Sequence, residues 1–249
     1  MRHSATQRLV NHYLMADGSK IQDQPGYETM TYNQQFQNRD PRMAQTLMAP
    51  GYVDLNGIDE VVEDCKSYDM TGYRFIKFVS DDTHNGATTS TTDWPVFRYP
   101  EILLTYAEAK AELGTLTPED IALTVDVVRD RVGMPALPDD LTQAEMILRV
   151  RHERMVELCY EECRYFDVRR WAEAFAGSQL YQQYFKIPCE RLTVMWITKN
   201  PDDTYTYERR TDLLRNASTQ PRDVLLPIPE TEANNLYSLT NKRWQNSGW

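Results

Sequence analysis

Residues 150–171 read VRHERMVELCYEECRYFDVRRW, with ten Asp, Glu or Arg among twenty-two positions. On a helical wheel of about 100° per residue, Ile147, Val150, Leu158, Tyr165 and Val168 share one stripe, and Arg154 and Glu161 fall inside it. Charges inside an apolar stripe do not form a solvated face. Arg154 has Glu157 three residues on, Glu161 has Arg164 three residues on, and Arg149 has Glu153 four residues on. Opposite charges thus lie within one turn of each other. Burying such groups is costly unless they are paired and hydrogen-bonded. The stretch is therefore predicted to be a long helix carrying a structural polar network of Arg154, Glu157, Glu161 and Arg164.

Two sharper readings of the same residues are weaker. Glu157 and Glu161 as a glycosidase pair would point the same way from one helix, whereas a retaining mechanism needs carboxylates flanking the sugar about 5 Å apart. His152, Cys159 and Cys163 share a helix face, but the closely spaced ligand pairs and fourth ligand of structural zinc are missing. There is also no G-x-S-x-G elbow, Walker loop or H-E-x-x-H. The expectation is a non-enzyme with no catalytic residues, no metal and no cofactor.

Upstream, PEILLTYAEAKAELG (100–114) reads as an amphipathic helix: Pro100 opens it, Gly114 ends it, and Ile102, Tyr106, Ala109 and Leu113 recur at helical spacing. Tyr106 and Trp171 are assigned to the core. TPEDIALTVDVVRDRVG (117–133) begins with Thr117 as N-cap and repeats Ile121, Val125, Val128 and Val132. The box Thr142-Gln-Ala-Glu145 then opens the long helix. This gives a mainly α fold: a tetratricopeptide-like helix pair plus a long helix over 99–172, within one region spanning 1–249. Residues 1–98 read as loop-rich, with short helices at Ala5–Met15 and after Asp40-Pro41 and a strand at GYRFIKFV (72–79). Residues 173–249 read as irregular with a small β-hairpin, RLTVMWIT and TYTYERR around Asn200-Pro-Asp-Asp203.

Bulk properties exclude several partners. A net charge of −10 with no Lys/Arg run argues against nucleic acid and anionic membrane surfaces. No apolar run approaches the roughly 18 residues of a membrane span, and MRHSATQRLV lacks a signal-peptide core. Four cysteines without Cys-x-x-Cys pairs fix no redox compartment.

The runs Arg98-Tyr-Pro-Glu-Ile-Leu-Leu-Thr-Tyr-Ala-Glu-Ala-Lys-Ala-Glu-Leu-Gly114, Val128-Arg-Asp-Arg-Val-Gly133, Arg151-His-Glu-Arg-Met-Val-Glu-Leu158 and Arg164-Tyr-Phe-Asp-Val-Arg-Arg-Trp171 together resemble the SusD/RagB family. Asn38-Arg-Asp-Pro-Arg42, Leu226-Pro-Ile-Pro229 and Gln245-Asn-Ser-Gly-Trp249 agree in order. Members are typically about twice as long, so the chain resembles their carboxy-terminal half. Exposed apolar surface on such a half would favour self-association. Two positions depart from the family pattern: Glu162 where glycine is usual, and Ser247 where the closing motif has proline. Glu162 favours a helix that continues.

The resemblance implies a surface lipoprotein of the outer membrane that captures a glycan without chemistry and passes it to a SusC-like, TonB-dependent transporter. A peptide-binding uptake subunit, or a protein-interaction scaffold without a small ligand, are the alternatives. Sugar recognition needs an aromatic face with polar groups around it. The loop aromatics Tyr27, Tyr32 and Trp94 are therefore the ligand-binding candidates. For the polar network, Glu161→Gln is expected to lower stability by roughly 1–3 kcal/mol; an unchanged melting temperature would put Glu161 on a solvated face.

Overall fold

In the computed structural model, residues 5–53, 73–79, 93–174, 194–199, 205–210 and 230–242 are described. The chain divides into two compact units, Met1–Glu161 with Leu192–Leu213, and Glu162–Arg191 with Leu214–Trp249.

The first unit is built on two helices. Helix α4 (Tyr99–Glu112) carries proline in its first turn, and α7 (Gln143–Glu157) starts with the reciprocal box in which Thr142 and Glu145 satisfy each other's backbone donors. They pack on each other, with α5 (Pro118–Leu123) and α6 (Val125–Asp130) alongside. Leu104, Ala107, Ala111, Ile121, Val125, Val128, Ile147 and Val150 form the shared core. Gly114 ends α4 at φ +67, and the Ala111 carbonyl accepts from the Gly114 N–H and from Gln143 Nε2, each at 3.0 Å, joining the end of α4 to the start of α7.

The buried face of α4 differs from the predicted stripe. Ile102, Tyr106 and Leu113 are exposed, while Leu104, Ala107, Glu108 and Ala111 are buried. The reason is that the α4–α7 seam is partly polar. Arg151 reaches Glu112 at 2.5 Å and Glu108 at 3.7 Å, and Arg154 reaches Thr105 at 3.1 Å and Glu101 at 3.5 Å. A count of apolar residues therefore picks the wrong side. Tyr106 faces outward because its hydroxyl donates to Asp120, 3.0 Å away in the capping box of α5.

A second core lies under the amino-terminal segment, where α1 (Gln7–His12), α2 (Tyr32–Gln35) and α3 (Pro41–Thr46) bring Val10, Tyr13, Tyr32, Met43 and Leu47 against Tyr73 and Val156. The segment Asn38–Arg42 acts as its clasp. Asn38 takes φ +53, and Arg39 donates to the carbonyls of Val10, Tyr13 and Gln35 at 2.5–2.6 Å. Burial pulls the Arg39 guanidinium down to about 10. Asp40 caps α3 and Pro41 sits in its first turn. The described part of GYRFIKFV makes isolated bridges at Arg74 and Phe75, the latter with Leu47, instead of a strand. The chain bends just after them, because Phe78 adopts φ +63.

The long helix is interrupted. α7 stops at Glu157, Tyr160 and Glu162 take φ of +64 and +63, and α8 (Cys163–Ala174) starts afresh. The wheel drawn through residues 158–168 therefore loses its phase, and Tyr165 is half-exposed. In the second unit Trp171 is buried, with the Arg164 guanidinium 5.3 Å from its ring centre, and α9 (Glu230–Thr240) follows later in the chain. Strands β1 (Val194–Lys199) and β2 (Tyr205–Arg210) pair antiparallel, Trp196 opposite Glu208. The hairpin turn at 200–203, Leu226–Pro229 and Gln245–Trp249 lie outside the described residues. No helix among the described residues is long and apolar enough to cross a membrane.

Glu162 is exposed in a left-handed conformation that costs a non-glycine residue about 1–2 kcal/mol. Glu162→Gly should raise unfolding stability by about 0.5–1 kcal/mol in urea titration; a loss of stability would mean that the Glu162 side chain contributes more than its backbone strain costs.

Candidate functional site

The carboxyl end of α7, capped by the Leu158 N–H on the Arg154 carbonyl, carries the helix's negative dipole and, with the turn that follows it, three glutamates, Glu153, Glu157 and Glu161. All three attract cations from elsewhere in the first unit. Arg42 Nη1 lies 2.5 Å from Glu153 and 3.0 Å from Glu157, with its other nitrogens on Asp40. Arg129 takes the second oxygen of Glu153 at 2.8 Å. Arg98, the residue before α4, bonds Glu157 Oε1, Glu161 Oε2 and the Glu157 carbonyl at 2.5–2.6 Å. Arg131 Nη2 spans both Glu157 oxygens at 3.0 and 2.9 Å. Lys77 bonds Glu161 at 2.5 Å and the Cys159 carbonyl at 2.9 Å. The Glu157 carbonyl at the end of α7 and the Cys159 carbonyl just after it are thus met by cationic donors.

The charge states follow from this packing. Burial alone would raise the Glu157 carboxyl, but the bonds and charges of Arg98 and Arg42 outweigh it and hold it below the ordinary glutamate value. Burial likewise opposes the charge on Arg42, yet Asp40 and Glu153 push it above the ordinary arginine value. A general acid needs the opposite shift, upward towards neutral pH. Glu157 is therefore held charged and is not poised to give up a proton near neutral pH.

Beside it opens a cleft of about 260 Å³, lined by Arg42, Lys77, Phe78, Arg98, Arg131 and Glu161 among others. That is somewhat below the roughly 300–1,000 Å³ of pockets for drug-sized ligands, and suits one ring or the end of a chain. At its edge Phe78 packs on Trp94, ring centres 4.6 Å apart, with Lys77 Nζ 5.6 Å from the Phe78 ring. Trp94 is 44% exposed. A bulky residue at positive φ stores about 1–2 kcal/mol of strain, and such strain clusters at binding sites. Here the bend at Phe78 sets both the aromatic pair and the Lys77 ammonium beside the cleft.

The sequence-predicted residues are distributed unevenly. Trp94 does not line the cleft itself but packs on Phe78, which does. Tyr27 sits partly buried on another element, its hydroxyl accepting from Asn11 at 2.7 Å. Tyr32 is 1% exposed, its hydroxyl bonded to the Met48 carbonyl and its ring against Tyr73 and Phe36, so it is a core residue and offers no ring face to a ligand. It lay in a polar stretch, but that stretch forms the capped turn of α2 and drives the ring inward. Glu157 and Glu161 are buried under cations from distant segments, Arg154 faces α4, and Arg164 belongs to α8 of the second unit. His152, weighed as a metal ligand, bonds the His12 carbonyl through Nε2 at 2.8 Å. Sequence reasoning missed Arg42, Lys77, Phe78, Arg98 and Arg131. The three arginines stood within the family-like runs, which was the available signal.

A family model described as the SusD family matches residues 1–249. Among solved structures, a SusD-like protein from Bacteroides fragilis NCTC 9343 is 25% identical, with 99% of this chain and 47% of that one aligned at a TM-score of 0.69. A SusD-like carbohydrate-binding protein from the same organism is 26% identical, covering 94% of this chain and 50% of that one at a TM-score of 0.62. The chain thus spans about half the length of the solved structures it matches. A search of the curated proteins gives no match.

Glu157→Gln should cost about 3 kcal/mol or more, since it leaves buried arginines short of a counter-charge. Because the folded carboxyl titrates below the unfolded one, its stabilisation is present at neutral pH and is lost as pH falls through the ordinary glutamate range and below. Urea unfolding of the two proteins from pH 7 to pH 3 should show their difference shrinking; a constant gap would contradict the ion-pair account.

Proposed function

Because the chain belongs to the SusD family, we propose that it binds extracellular glycan without turning it over, for delivery to a SusC-like, TonB-dependent transporter at the outer membrane surface. The observation that carries this reading is the Phe78–Trp94 pair, with Trp94 half-open to solvent and Phe78 on the wall of a cleft that also carries cationic hydrogen-bond donors. An aromatic face covers the apolar side of a sugar ring, and fixed donors around it take the hydroxyl oxygens. The ion-pair network behind the cleft holds those donors in place, so little ordering is left to occur on binding. The solved relative described as carbohydrate-binding supports the choice of cargo.

Loss of the indole is the direct test. Trp94→Ala should weaken binding of a soluble polysaccharide roughly tenfold or more, with little change in melting temperature because the side chain is half-exposed. Calorimetric titration with oligosaccharides beside a panel of oligopeptides checks both the residue and the cargo. Binding confined to the peptides would replace the glycan reading with a peptide-uptake one.

A further inference from the structure

Resting on the glycan-binding reading, we propose that the cleft takes an acidic sugar unit, one bearing a carboxylate or a sulfate ester. The basis is an imbalance between donors and acceptors on its walls. Glu157 has both oxygens occupied, Oε1 by Arg98 and Arg131 and Oε2 by Arg42 and Arg131. Glu161 accepts from Lys77 on one oxygen and Arg98 on the other. The donors are less fully spent. Among the described residues, Arg131 commits only Nη2, leaving Nη1 and Nε without a partner. Arg98 makes one bond from each of its three nitrogens, so each terminal nitrogen retains a second proton. Lys77 uses two of its three. Arg42, deeper in, is taken up by Asp40, Glu153 and Glu157.

These open donors are within reach of solvent: the side chains of Arg131, Arg98 and Lys77 are 50%, 26% and 21% exposed. Four cationic residues and two carboxylates line the cleft, a local positive excess in a chain whose net charge is −10. A neutral sugar hydroxyl both donates and accepts, and would find both carboxylates already engaged, leaving the exposed Gln45 amide as the wall's acceptor. A carboxylate or sulfate only accepts, and the planar guanidinium fork of Arg131 matches either. The adjoining Phe78–Trp94 face would meet the ring that carries the acidic group.

The test compares the whole chain and its Arg131→Gln variant in calorimetric titrations with three probes of equal length: tetragalacturonate, a chondroitin sulfate tetrasaccharide and maltotetraose. The proposal expects one or both acidic probes to bind, maltotetraose to bind at least roughly tenfold more weakly, and acidic affinity to fall as salt rises. Arg131→Gln should lose roughly tenfold in acidic affinity, and Arg131→Lys, which keeps the charge but not the fork, should lose less. Both variants are first checked for an unchanged melting temperature, and Arg131→Lys carries the comparison if the glutamine variant fails to fold. Tetragalacturonate presents carboxylates alone and the chondroitin sulfate tetrasaccharide presents carboxylates beside sulfate esters, so binding confined to the latter would assign the sulfate. Equal binding of maltotetraose, or acidic binding indifferent to Arg131, would overturn the acidic preference while leaving the glycan reading standing. Binding of none of the three by the unaltered chain, with none to a wider set of polysaccharides, would overturn both.

Discussion

The Glu157 carboxylate is the constraint on which the first unit depends. It sits 1% exposed at the end of α7 with three arginines converging on it, from α3, from the start of α4 and from just after α6. Each comes from a different part of the chain, so forming the pairs fixes how those segments meet. Ion pairs buried this deeply offset their own desolvation only when geometry is good and every lone pair is used. That condition is met, since both oxygens accept two bonds each. The network's contribution is therefore better described as placement than as net stability: an apolar core of the same volume could match its energy but would not fix these positions.

Placement has a functional consequence at the surface. The same arginines that neutralise Glu157 and Glu161 form the floor of the cleft, and Lys77 ties the strained bend at Phe78 to the end of α7. Structural and cleft-facing donors are thus the same side chains, used on different edges. A cleft made in this way has its donors fixed by the fold. This also explains why the Glu157 carboxylate is held ionised: it anchors cations, and a neutral glutamic acid would release them.

Much of the framework was legible in the sequence. The boxes Thr117–Asp120 and Thr142–Glu145, Pro100 and Gly114 mark helix ends through local hydrogen bonding and backbone restriction, which neighbouring residues decide. The abnormal charge density of 150–171 includes Glu157 and Glu161, which are buried, but their cations come from outside the stretch. Three features were not legible. The buried side of α4 depends on a polar seam with α7, which periodicity of apolar residues does not register. The break at 158–162 places Tyr160 and Glu162, neither of them glycine, in left-handed backbone, against their local preference. Tyr32 looked like a loop aromatic because its neighbours are polar, while its ring and hydroxyl are satisfied by Tyr73 and Met48, far away in the chain.

By itself, then, the sequence determined the helices, their caps, the family and the presence of a buried charged network, because each is written in short-range patterns or in composition. Tertiary structure alone decided which cations serve which carboxylates, and so where the cleft lies. Partners such as Arg42 and Glu157 are 115 residues apart, and no spacing rule reaches that far. Charge pairing acts through space within a few ångströms, and only the folded chain brings Arg42, Arg98 and Arg131 within that distance of one glutamate.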